Sequence, residues 1–521
     1  MNMGYQILQV SAKRFPQRTA LLGPWGELGY AQLEARVAGV AGGLVRLGVR
    51  AGDRVAFMMN NHPDVVVAYF AILRVGAIAV SVNVMLRRDE LAYLLNDSQA
   101  GTIICEPAVR DVVAAARSEV PCLRNILVAG NDVPAGAASL HAIEAGEPMP
   151  GIADRQPDDV ALMLYTSGTT GAPKGVMMSH FWLDFVSLSW VNVFRLTRED
   201  RALVASPFFY TIGLVMGVLA AFRIGASAVL IERFRPQIAL DAITRFRPTM
   251  ANMVPTAVIQ LLDNFDPRRH DVASMTTLFS AGAPFPPALR QRVRETFGWE
   301  PREIYGLTEA HMLATQAVGY PHRDGMIGVA GANVTVRVVD DSGREVARGE
   351  VGEVICKGDT VTLGYWRRPA ETADAYRDGW FHTGDLGIMD ADGYLRIVDR
   401  KKEMILTGGA NIYPAEVEKT LSQHPDIAMA ALVGVPDAQY GELPVAVVAV
   451  RRGASATAED IIGFCRERLA PFKCPRAVVF TDELPVTASG KVARRQLRDQ
   501  LALAAASGPV RPTISNTTRS Q

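Results

Sequence analysis

The residues best suited to chemistry lie in one short stretch, residues 165–175, which reads YTSGTTGAPKG. Glycines allow backbone conformations that turn successive N–H groups toward one point, and such a row of donors binds anions. Threonine and serine hydroxyls add further donors, and Lys174 adds a positive charge. The stretch therefore predicts a loop that binds a polyphosphate. Its predicted ligand-contacting residues are Thr166, Ser167, Gly168, Thr169, Thr170 and Lys174.

The spacing of this stretch excludes the most common nucleotide-binding loop. That loop requires the pattern G-x-x-x-x-G-K-[ST], whereas the sixth residue from Gly168 is Pro173 and Lys174 is followed by Gly175. An apolar run over residues 160–164 precedes the stretch and indicates a buried strand. A phosphate loop of another type, which leaves a strand, is therefore predicted. A flexible linker rich in glycine and threonine is the alternative interpretation.

Two further segments combine small or polar residues after short apolar strands. Residues 305–309 read YGLTE and offer an aromatic ring, a hydroxyl and a carboxylate, which suit a nucleotide site. A carboxylate beside phosphate oxygens is a ligand set that Mg²⁺ prefers. Residues 280–284 read SAGAP and form, taken alone, only a turn.

The stretch YTSGTTGAPKG resembles the signature of the adenylate-forming superfamily, which comprises acyl- and aryl-CoA ligases, luciferases and the adenylation domains of peptide synthetases. Matching motifs follow in order from about residue 10 to residue 500, and the acyl- and aryl-CoA ligases are the most similar branch. The resemblance implies ATP, Mg²⁺ and CoA as cofactor and co-substrates, and a small-molecule carboxylic acid as substrate.

The resemblance also implies roles for the two segments after the strands. Tyr305 would stack on adenine beside Gly306, Thr308 would contact the α-phosphate, and Glu309 would be both a catalytic residue and the metal ligand. The backbone of the SAGAP segment would lie against adenine. The residues implied there are Gly282, Ala283 and Pro284.

Motifs nearer the C-terminus complete the implied site. In WFHTGD (residues 380–385), Asp385 would hold the ribose hydroxyls, since a carboxylate accepts two hydrogen bonds from a diol. Arg400 matches an arginine that contacts ribose or phosphate, and Lys402 matches the hinge position, although a solvated linker would read the same way.

The small C-terminal region carries the remaining implied residues. Gly408 and Gly409 would line the CoA tunnel, with a tight turn as the alternative. Residues 485–491 read PVTASGK and match the family segment whose lysine, here Lys491, bridges the carboxylate and the α-phosphate. A cation at that point would stabilise the negative charge of the transition state.

The acyl pocket departs from the pattern of the resembled ligases. They usually carry histidine after the aromatic residue of a segment that here reads PFFYTIG (residues 207–213), so Tyr210 replaces it. Tyrosine cannot neutralise an α-ammonium group, and an unpaired buried charge is costly, so α-amino acids are disfavoured as substrates. The predicted acyl pocket comprises Tyr210, Phe209, Ala281, His311 and Met312.

Outside the motifs, short apolar runs alternate with stretches of helical periodicity, including a helix predicted over residues 213–222. This alternation predicts βαβ units and two packed α/β sheets, followed by a small β-barrel-like region from about residue 328. An α+β pattern predicts a small, mobile C-terminal domain. The predicted divisions are an N-terminal adenylation domain (1–399), a hinge (400–402), a C-terminal domain (403–505) and a flexible tail (506–521).

Bulk composition disfavours nucleic-acid-binding, secreted and membrane-spanning proteins. The 521 residues include 54 basic and 54 acidic side chains, and this zero net charge disfavours a nucleic-acid partner. Five scattered cysteines without C-x-x-C spacing favour a reducing compartment. The N-terminus lacks the pattern of a signal peptide, and the most apolar windows contain Arg74 and Arg223, so no membrane span is expected. A cytoplasmic location is predicted, and a homodimer is left open.

The residues and the resemblance together predict an ATP- and Mg²⁺-dependent carboxylic acid:CoA ligase that forms an acyl-adenylate and releases AMP and pyrophosphate. Its predicted substrate is a hydrophobic acid, either a medium- or long-chain fatty acid or an aromatic acid. An enzyme that loads a carrier protein, or that acts as luciferases do, would share these motifs. A non-catalytic nucleotide sensor should have lost catalytic residues, yet Lys174, Glu309 and Lys491 are all present.

Overall fold

The computed structural model describes residues 2–130, 133–166, 172–407, 410–437, 440–451, 453–486 and 492–506. Its α-helices are Met3–Arg14, Tyr30–Arg46, Pro63–Val75, Arg88–Ser98, Arg110–Ala116, Leu140–Glu144, His180–Phe194, Ala221–Arg223, Pro236–Phe246, Pro255–Asn264, Pro287–Phe297, Pro369–Ala375, Pro414–Leu421, Ala458–Arg466 and Arg494–Ala506. Three short 3₁₀-helices cover Pro107–Val109, Arg117–Glu119 and Pro471–Lys473. Several helices begin with proline, whose fixed φ suits the first turn.

A seven-stranded sheet contains the first βαβ series. Its strands lie in the order Ala138–Ser139, Asn125–Val128, Thr102–Cys105, Arg54–Met58, Ile78–Ser81, Val160–Thr166 and Lys174–Ser179. Neighbours pair in parallel except the last two, which are antiparallel. Parallel strands of this kind are buried on both faces, and the two strands Ile78–Ser81 and Thr102–Cys105 are buried throughout.

A nine-stranded sheet contains the second series. Its strands lie in the order Val329–Ala330, Ala314–Thr315, Glu300–Tyr305, Thr277–Ala281, Met250–Asn252, Arg201–Val204, Ser227–Leu230, Thr19–Gly23 and Gly26–Gly29. The central strands pair in parallel, and antiparallel pairs close both ends. Because the parallel strands share a direction, their carboxyl ends meet at one edge, where open α/β sheets bind ligands.

The two sheets share one hydrophobic core. Phe57 and Leu164 enter it from the seven-stranded sheet, and Val204 and Phe279 enter it from the nine-stranded sheet. The helix Pro63–Val75 is buried along its whole length, as expected for a helix that is apolar on all sides. The prediction of two packed α/β sheets is confirmed.

The predicted helix over residues 213–222 is confirmed in position but not in type. Ile212–Ala220 is a π-helix, and only Ala221–Arg223 continues as an α-helix. Residues 213–220 are buried, and the π-helix packs against the helix His180–Phe194 and the strand Arg201–Val204. Apolar periodicity alone does not distinguish the two helix types, and π-helical turns often occur at functional sites.

The chain divides into two compact units. The first comprises Met1–Arg337, Ile355–Thr383 and Asp392–Leu395, and the second comprises Val338–Val354, Gly384–Ala391 and Arg396–Gln521. Five further strands form the predicted small β region, and some of their residues are assigned to the first unit and others to the second. They are Val334–Val339, Gly352–Gly358, Tyr376–Arg377, Trp380–Met389 and Leu395–Arg400. The predicted boundary between residues 399 and 403 stays a prediction.

The second unit has an α+β sheet of its own. Its strands lie in the order Ala410–Ile412, Ile405–Thr407, Gly441–Val450 and Ile427–Asp437, and Ala477–Phe480 pairs in parallel with Gly441–Val450. Val417, Leu421 and Ile461 bring the helices Pro414–Leu421 and Ala458–Arg466 onto one hydrophobic cluster of this sheet. Leu497 belongs to a second cluster.

All five cysteines are free thiols. Four are buried, namely Cys105, Cys356, Cys465 and Cys474, whereas Cys122 is half-buried. Burial raises the pKa of Cys105 and of Cys356 to about 12. Among the helices of the described ranges, none is both long and apolar enough to cross a membrane.

Candidate active site

The ends of the predicted phosphate loop are held by two antiparallel strands. Tyr165 lies opposite Gly175, and Thr166 lies opposite Lys174, in the pair formed by Val160–Thr166 and Lys174–Ser179. This register places Lys174 at the mouth of the loop. The predicted phosphate ligands between these ends, Ser167, Gly168, Thr169 and Thr170, lie outside the described residues.

Lys174 and Glu309 are joined through one tyrosine. The Nζ atom of Lys174 lies 4.4 Å from the ring centroid of Tyr365, a cation–π contact. The Tyr365 hydroxyl donates a 2.9 Å hydrogen bond to Oε1 of Glu309. Burial, followed by the nearby Glu309 carboxylate, raises the pKa of Tyr365, so its hydroxyl stays protonated as a donor. A cation and a carboxylate are thus held side by side.

The half-buried Asp97 supports the strand that leads into the predicted loop. The Tyr165 hydroxyl donates to Oδ2 of Asp97 at 2.8 Å, and Nη2 of Arg368 bonds Oδ1 of Asp97 at 2.7 Å. The Tyr93 hydroxyl donates to the carbonyl of Pro173 at 3.0 Å, directly before Lys174. These contacts fix the chain on both sides of the loop, so its ends need little ordering when a ligand binds.

The segment 305–309 turns sharply at the end of the strand Glu300–Tyr305. The Leu307 N–H donates to the Ala310 carbonyl at 2.9 Å. A Cβ atom on Gly306 would lie 2.8 Å from the Met312 nitrogen, so the turn accepts only glycine there. Thr308 and Glu309 follow as half-buried side chains that solvent can still reach.

The segment 282–284 extends beyond the adjacent strand, Thr277–Ala281, and is exposed as a nucleotide-contacting backbone must be. Gly282 has a φ of 85°, which favours glycine. Glu303 anchors the segment, because its carboxylate accepts the Phe285 N–H at 3.0 Å and pairs with Arg290 at 3.2 Å. Burial raises the pKa of Glu303.

The predicted acyl-pocket residues come from the end of one strand and from two connecting segments of the first unit. Ala281 and Met312 are members of the shared core, and His311 is buried beside them. Phe209 and Tyr210 lie in ring contact, 4.8 Å between centroids, in the turn before the π-helix. Burial raises the pKa of Tyr210, so its side chain is an uncharged phenol.

His311 is a neutral residue held by tryptophans. Burial lowers its pKa to about 4. The indole N–H of Trp190 donates to Nε2 of His311 at 2.9 Å, so the imidazole proton lies on Nδ1. The ring of Trp182 packs edge-on at 5.8 Å. The surroundings of His311 in the predicted acyl pocket are therefore aromatic and uncharged.

The second unit pairs the residues predicted to bind ribose. Nε of Arg400 lies 2.9 Å from Oδ1 of Asp385, whose side chain is 6% exposed. Asp399 accepts the backbone N–H groups of Arg400 at 2.7 Å and Ala415 at 2.9 Å, and burial raises its pKa to about 6. Lys402, the predicted hinge residue, is exposed and lies two residues after the end of the strand Leu395–Arg400.

Arg494 fixes the segment that follows the predicted catalytic lysine. It bonds Glu403 and Glu418, each at 2.5 Å. An isolated antiparallel bridge joins Val486 to Val492. Lys491 itself, together with Gly408 and Gly409, lies outside the described residues.

Sequence reasoning missed Tyr365 and Asp97, which support the predicted ligand-contacting residues. Tyr365 lies in the segment GYW (residues 364–366) and carries no charge, whereas Asp97 lies one residue before the end of the helix Arg88–Ser98. Their roles come from contacts across 56 and 68 residues of sequence. No local spacing pattern could have revealed them.

The residues present fit a Mg²⁺ ion. Glu309 offers one half-buried carboxylate, and the described ranges contain no cluster of three or more metal-ligating side chains. Mg²⁺ is commonly bound by one or two carboxylates together with phosphate oxygens and water, rather than by a cage of protein ligands. Glu309 would hold the ion against the nucleotide phosphates.

Comparison with known proteins decides the family. A family model described as AMP-binding enzyme matches residues 8–366, and the model of the AMP-binding enzyme C-terminal domain matches residues 416–491. The chain belongs to the AMP-binding enzyme family. The predicted resemblance to adenylate-forming enzymes is confirmed.

Relatives of this AMP-binding enzyme include ligases for different acids. Feruloyl-CoA synthase from Amycolatopsis sp is 38% identical, over 94% of this chain and 96% of the relative. A long-chain-fatty-acid–CoA ligase from Bacillus subtilis is 33% identical, over 95% and 94%. The crystal structure of an anthranilate CoA ligase in complex with anthranoyl-AMP superposes with a TM-score of 0.89 at 31% identity, over 96% of this chain and 98% of that one.

The family and these relatives confirm the predicted enzyme class. This AMP-binding enzyme is an AMP-forming acid–CoA ligase, which uses ATP, Mg²⁺ and CoA. Tyr365 holds two of the predicted site residues, Lys174 and Glu309, through a cation–π contact and a hydrogen bond.

Proposed function

We propose that this acid–CoA ligase activates a hydrophobic carboxylic acid, either aromatic or a medium- or long-chain fatty acid. The juxtaposition of Lys174 and Glu309 on Tyr365 carries the proposal, because it prepares a site for a metal-bound polyphosphate beside an uncharged aromatic region. The neutral His311 and the phenol of Tyr210 support an apolar acid. None of the five described residues predicted to line that region carries a charge that would pair with an α-ammonium group.

The first half-reaction joins the acid to AMP. A carboxylate oxygen attacks the α-phosphate of ATP, the bond to the β-phosphate oxygen breaks, and pyrophosphate leaves. Lys174 and Thr308 bind the phosphates, Tyr305 and the segment 282–284 bind adenine, and Asp385 with Arg400 binds ribose. Glu309 would hold Mg²⁺, which when bound would neutralise charge on the phosphates. Lys491 neutralises the carboxylate and the α-phosphate as they meet.

The second half-reaction transfers the acyl group to CoA. The thiol of CoA attacks the acyl carbon and AMP leaves. One site cannot hold both Lys491 and the thiol, so the C-terminal domain rotates about Lys402 and presents Gly408 and Gly409 to the pantetheine arm. We propose a cytoplasmic enzyme, which the five free thiols support. The homodimer stays a prediction.

The test measures pyrophosphate release with ATP, Mg²⁺ and a panel of fatty, benzoate-type, cinnamate-type and amino acids, with and without CoA. Release that depends on a hydrophobic acid, with CoA thioester in the product, is expected. Release without thioester would instead indicate transfer to a carrier protein or a luciferase-like reaction. If no acid in the panel causes pyrophosphate release, the proposal is overturned.

The role of Lys491 is tested separately in the two half-reactions. Lys491→Ala should abolish adenylation and leave thioester formation from supplied acyl-AMP intact. Lys419→Ala removes an exposed lysine of the same unit and is the matched control. Equal loss of both half-reactions in Lys491→Ala would contradict the assigned role.

A further inference from the structure

Asn252 is a buried amide without a partner. It is 2% exposed, and neither its Nδ2 nor its Oδ1 atom has a hydrogen-bond partner within the described part of the chain. A side-chain amide can donate two hydrogen bonds and accept two. Because buried polar groups are almost always paired, an amide with no bond at either end points to a ligand.

The strand Met250–Asn252 places this amide at the ligand-binding edge of the nine-stranded sheet. Asn252 is the last residue of the strand and pairs with Phe279. Side chains alternate along a strand, so Asn252 shares the face of Met250, which belongs with Phe279 to the shared core. Ala281, a predicted acyl-pocket residue, lies on the same face as Phe279 and about 7 Å further along.

The surroundings of Asn252 are apolar. Its strand packs against the π-helix Ile212–Ala220, which follows directly after Phe209 and Tyr210. Ser280 also has an unpartnered buried hydroxyl among the described residues. It alternates with Phe279, however, and therefore faces the other side of the sheet, toward the cluster that contains Leu278. At this end of the strand, Asn252 is thus the polar side chain on the face that also carries Ala281 of the predicted acyl pocket.

We propose that Asn252 is a specificity-determining residue that hydrogen-bonds an oxygen on the hydrocarbon part of the acid. The preferred substrate is then a hydrophobic acid that carries a hydroxyl or carbonyl oxygen away from the reacting carboxylate, rather than a plain hydrocarbon acid. The inference rests on the proposed function and narrows its substrate class. A site built to bond a substrate oxygen rejects an analogue without it, because the protein group is left unpaired.

The experiment compares kcat/KM for acids of equal size with and without the oxygen. Suitable pairs are 4-hydroxycinnamate with 4-methylcinnamate, 4-hydroxybenzoate with 4-methylbenzoate, 4-acetylbenzoate with 4-isopropylbenzoate, and 10-hydroxydecanoate with undecanoate. In at least one pair, the unmodified enzyme should prefer the oxygen-bearing acid by about tenfold or more. Asn252→Leu should bring that ratio to about one.

Two controls separate recognition from structure. Met250→Leu changes the same face of the same strand and should leave the ratio unchanged. The thermal midpoint of free Asn252→Leu should equal or exceed that of the unmodified protein, because leucine removes an unpaired amide. A lower midpoint would mean that the amide has a structural role and would overturn the proposal.

Other results would also overturn it. One such result is that the unmodified enzyme prefers the apolar member of every pair, and another is that Asn252→Leu leaves the ratio unchanged. Either result would show that Asn252 does not hydrogen-bond the acid, as expected for an amide that bonds water instead. If no acid of any kind is activated, the proposed function fails as well, and this outcome is distinct from a lost preference for oxygen.

Discussion

At the proposed phosphate end of the site, Glu309 already accepts a hydrogen bond from Tyr365, and Lys174 already lies against the ring of the same residue. At the proposed acyl end, the amide of Asn252 has no such partner within the described residues. Groups that are paired before binding are preorganised for ligands used in every turnover. An unpaired group is available to a substituent that only certain acids bring. On these proposals, the residues that bind ATP are positioned by contacts within the protein, whereas the residue that selects the acid is left unpaired until the acid binds.

The largest effect should come from the carboxylate of the phosphate end. Glu309→Gln keeps the size of the side chain but removes the charge that would hold Mg²⁺, so kcat/KM for ATP should fall on the order of a hundredfold or more. Titration of pyrophosphate release with Mg²⁺ measures the change. Glu371→Gln alters an exposed carboxylate of the same unit and should have no effect. An unaltered Mg²⁺ titration in Glu309→Gln would show that the metal is bound elsewhere.

Substitutions of Tyr365 should have an intermediate effect on Mg²⁺ and ATP binding, and two variants separate the role of its hydroxyl from that of its ring. Tyr365→Phe removes the hydroxyl that orients Glu309 but keeps the ring under Lys174, so half-saturation should need about tenfold more Mg²⁺. Tyr365→Leu also removes the cation–π contact and should further raise the KM for ATP.

Tyr376→Phe is the control for Tyr365, because the Tyr376 hydroxyl bonds Thr362 at 3.0 Å. It should leave both the Mg²⁺ titration and the KM for ATP unchanged. Equal behaviour of Tyr365→Phe and Tyr376→Phe would mean that the Tyr365 hydroxyl does not position Glu309.

The last prediction concerns His311 in the predicted acyl pocket, and its effect appears in stability rather than in turnover. Burial lowers its pKa from about 6.5 to about 4, so the folded protein binds fewer protons than the unfolded chain between these values. The contribution of His311 to stability is therefore complete above pH 6.5 and is lost as the pH falls toward 4, by up to about 3 kcal/mol.

Urea unfolding of the unmodified protein and of His311→Gln, each at pH 7 and pH 5, tests this dependence. Glutamine can still accept the Trp190 N–H but does not titrate. The unmodified protein should lose about 1–2 kcal/mol more than the variant on acidification. Equal losses in the two proteins would show that His311 can be protonated in the folded state.

The architecture could be predicted because it depends on repeated local patterns. The strand predicted from the apolar run over residues 160–164 is the strand Val160–Thr166, because an apolar run of this length specifies a buried strand locally. The π-helix Ile212–Ala220 could not be foreseen, since its apolar residues suit either helix type. Tyr305 and Glu309 were found because they stand together in a motif.

The supporting contacts could not be predicted from sequence. Asn252 is one polar residue among apolar neighbours, and only its position beside Phe279 in the folded sheet gives its amide significance. Tyr365 is brought to the site by an isolated antiparallel bridge that pairs it with Val176. Long-range register, rather than residue type, brings these side chains to the site.

The free cysteines bear on how the proposed domain rotation can be observed. Four of the five thiols are buried, and a raised pKa makes the thiols of Cys105 and Cys356 poor nucleophiles. A maleimide dye should therefore react with Cys122 at most, and Cys122→Ser would give a background with little labelling. One surface cysteine introduced into each compact unit would then carry a fluorophore pair, and energy transfer between them would follow the swing of the small domain during turnover.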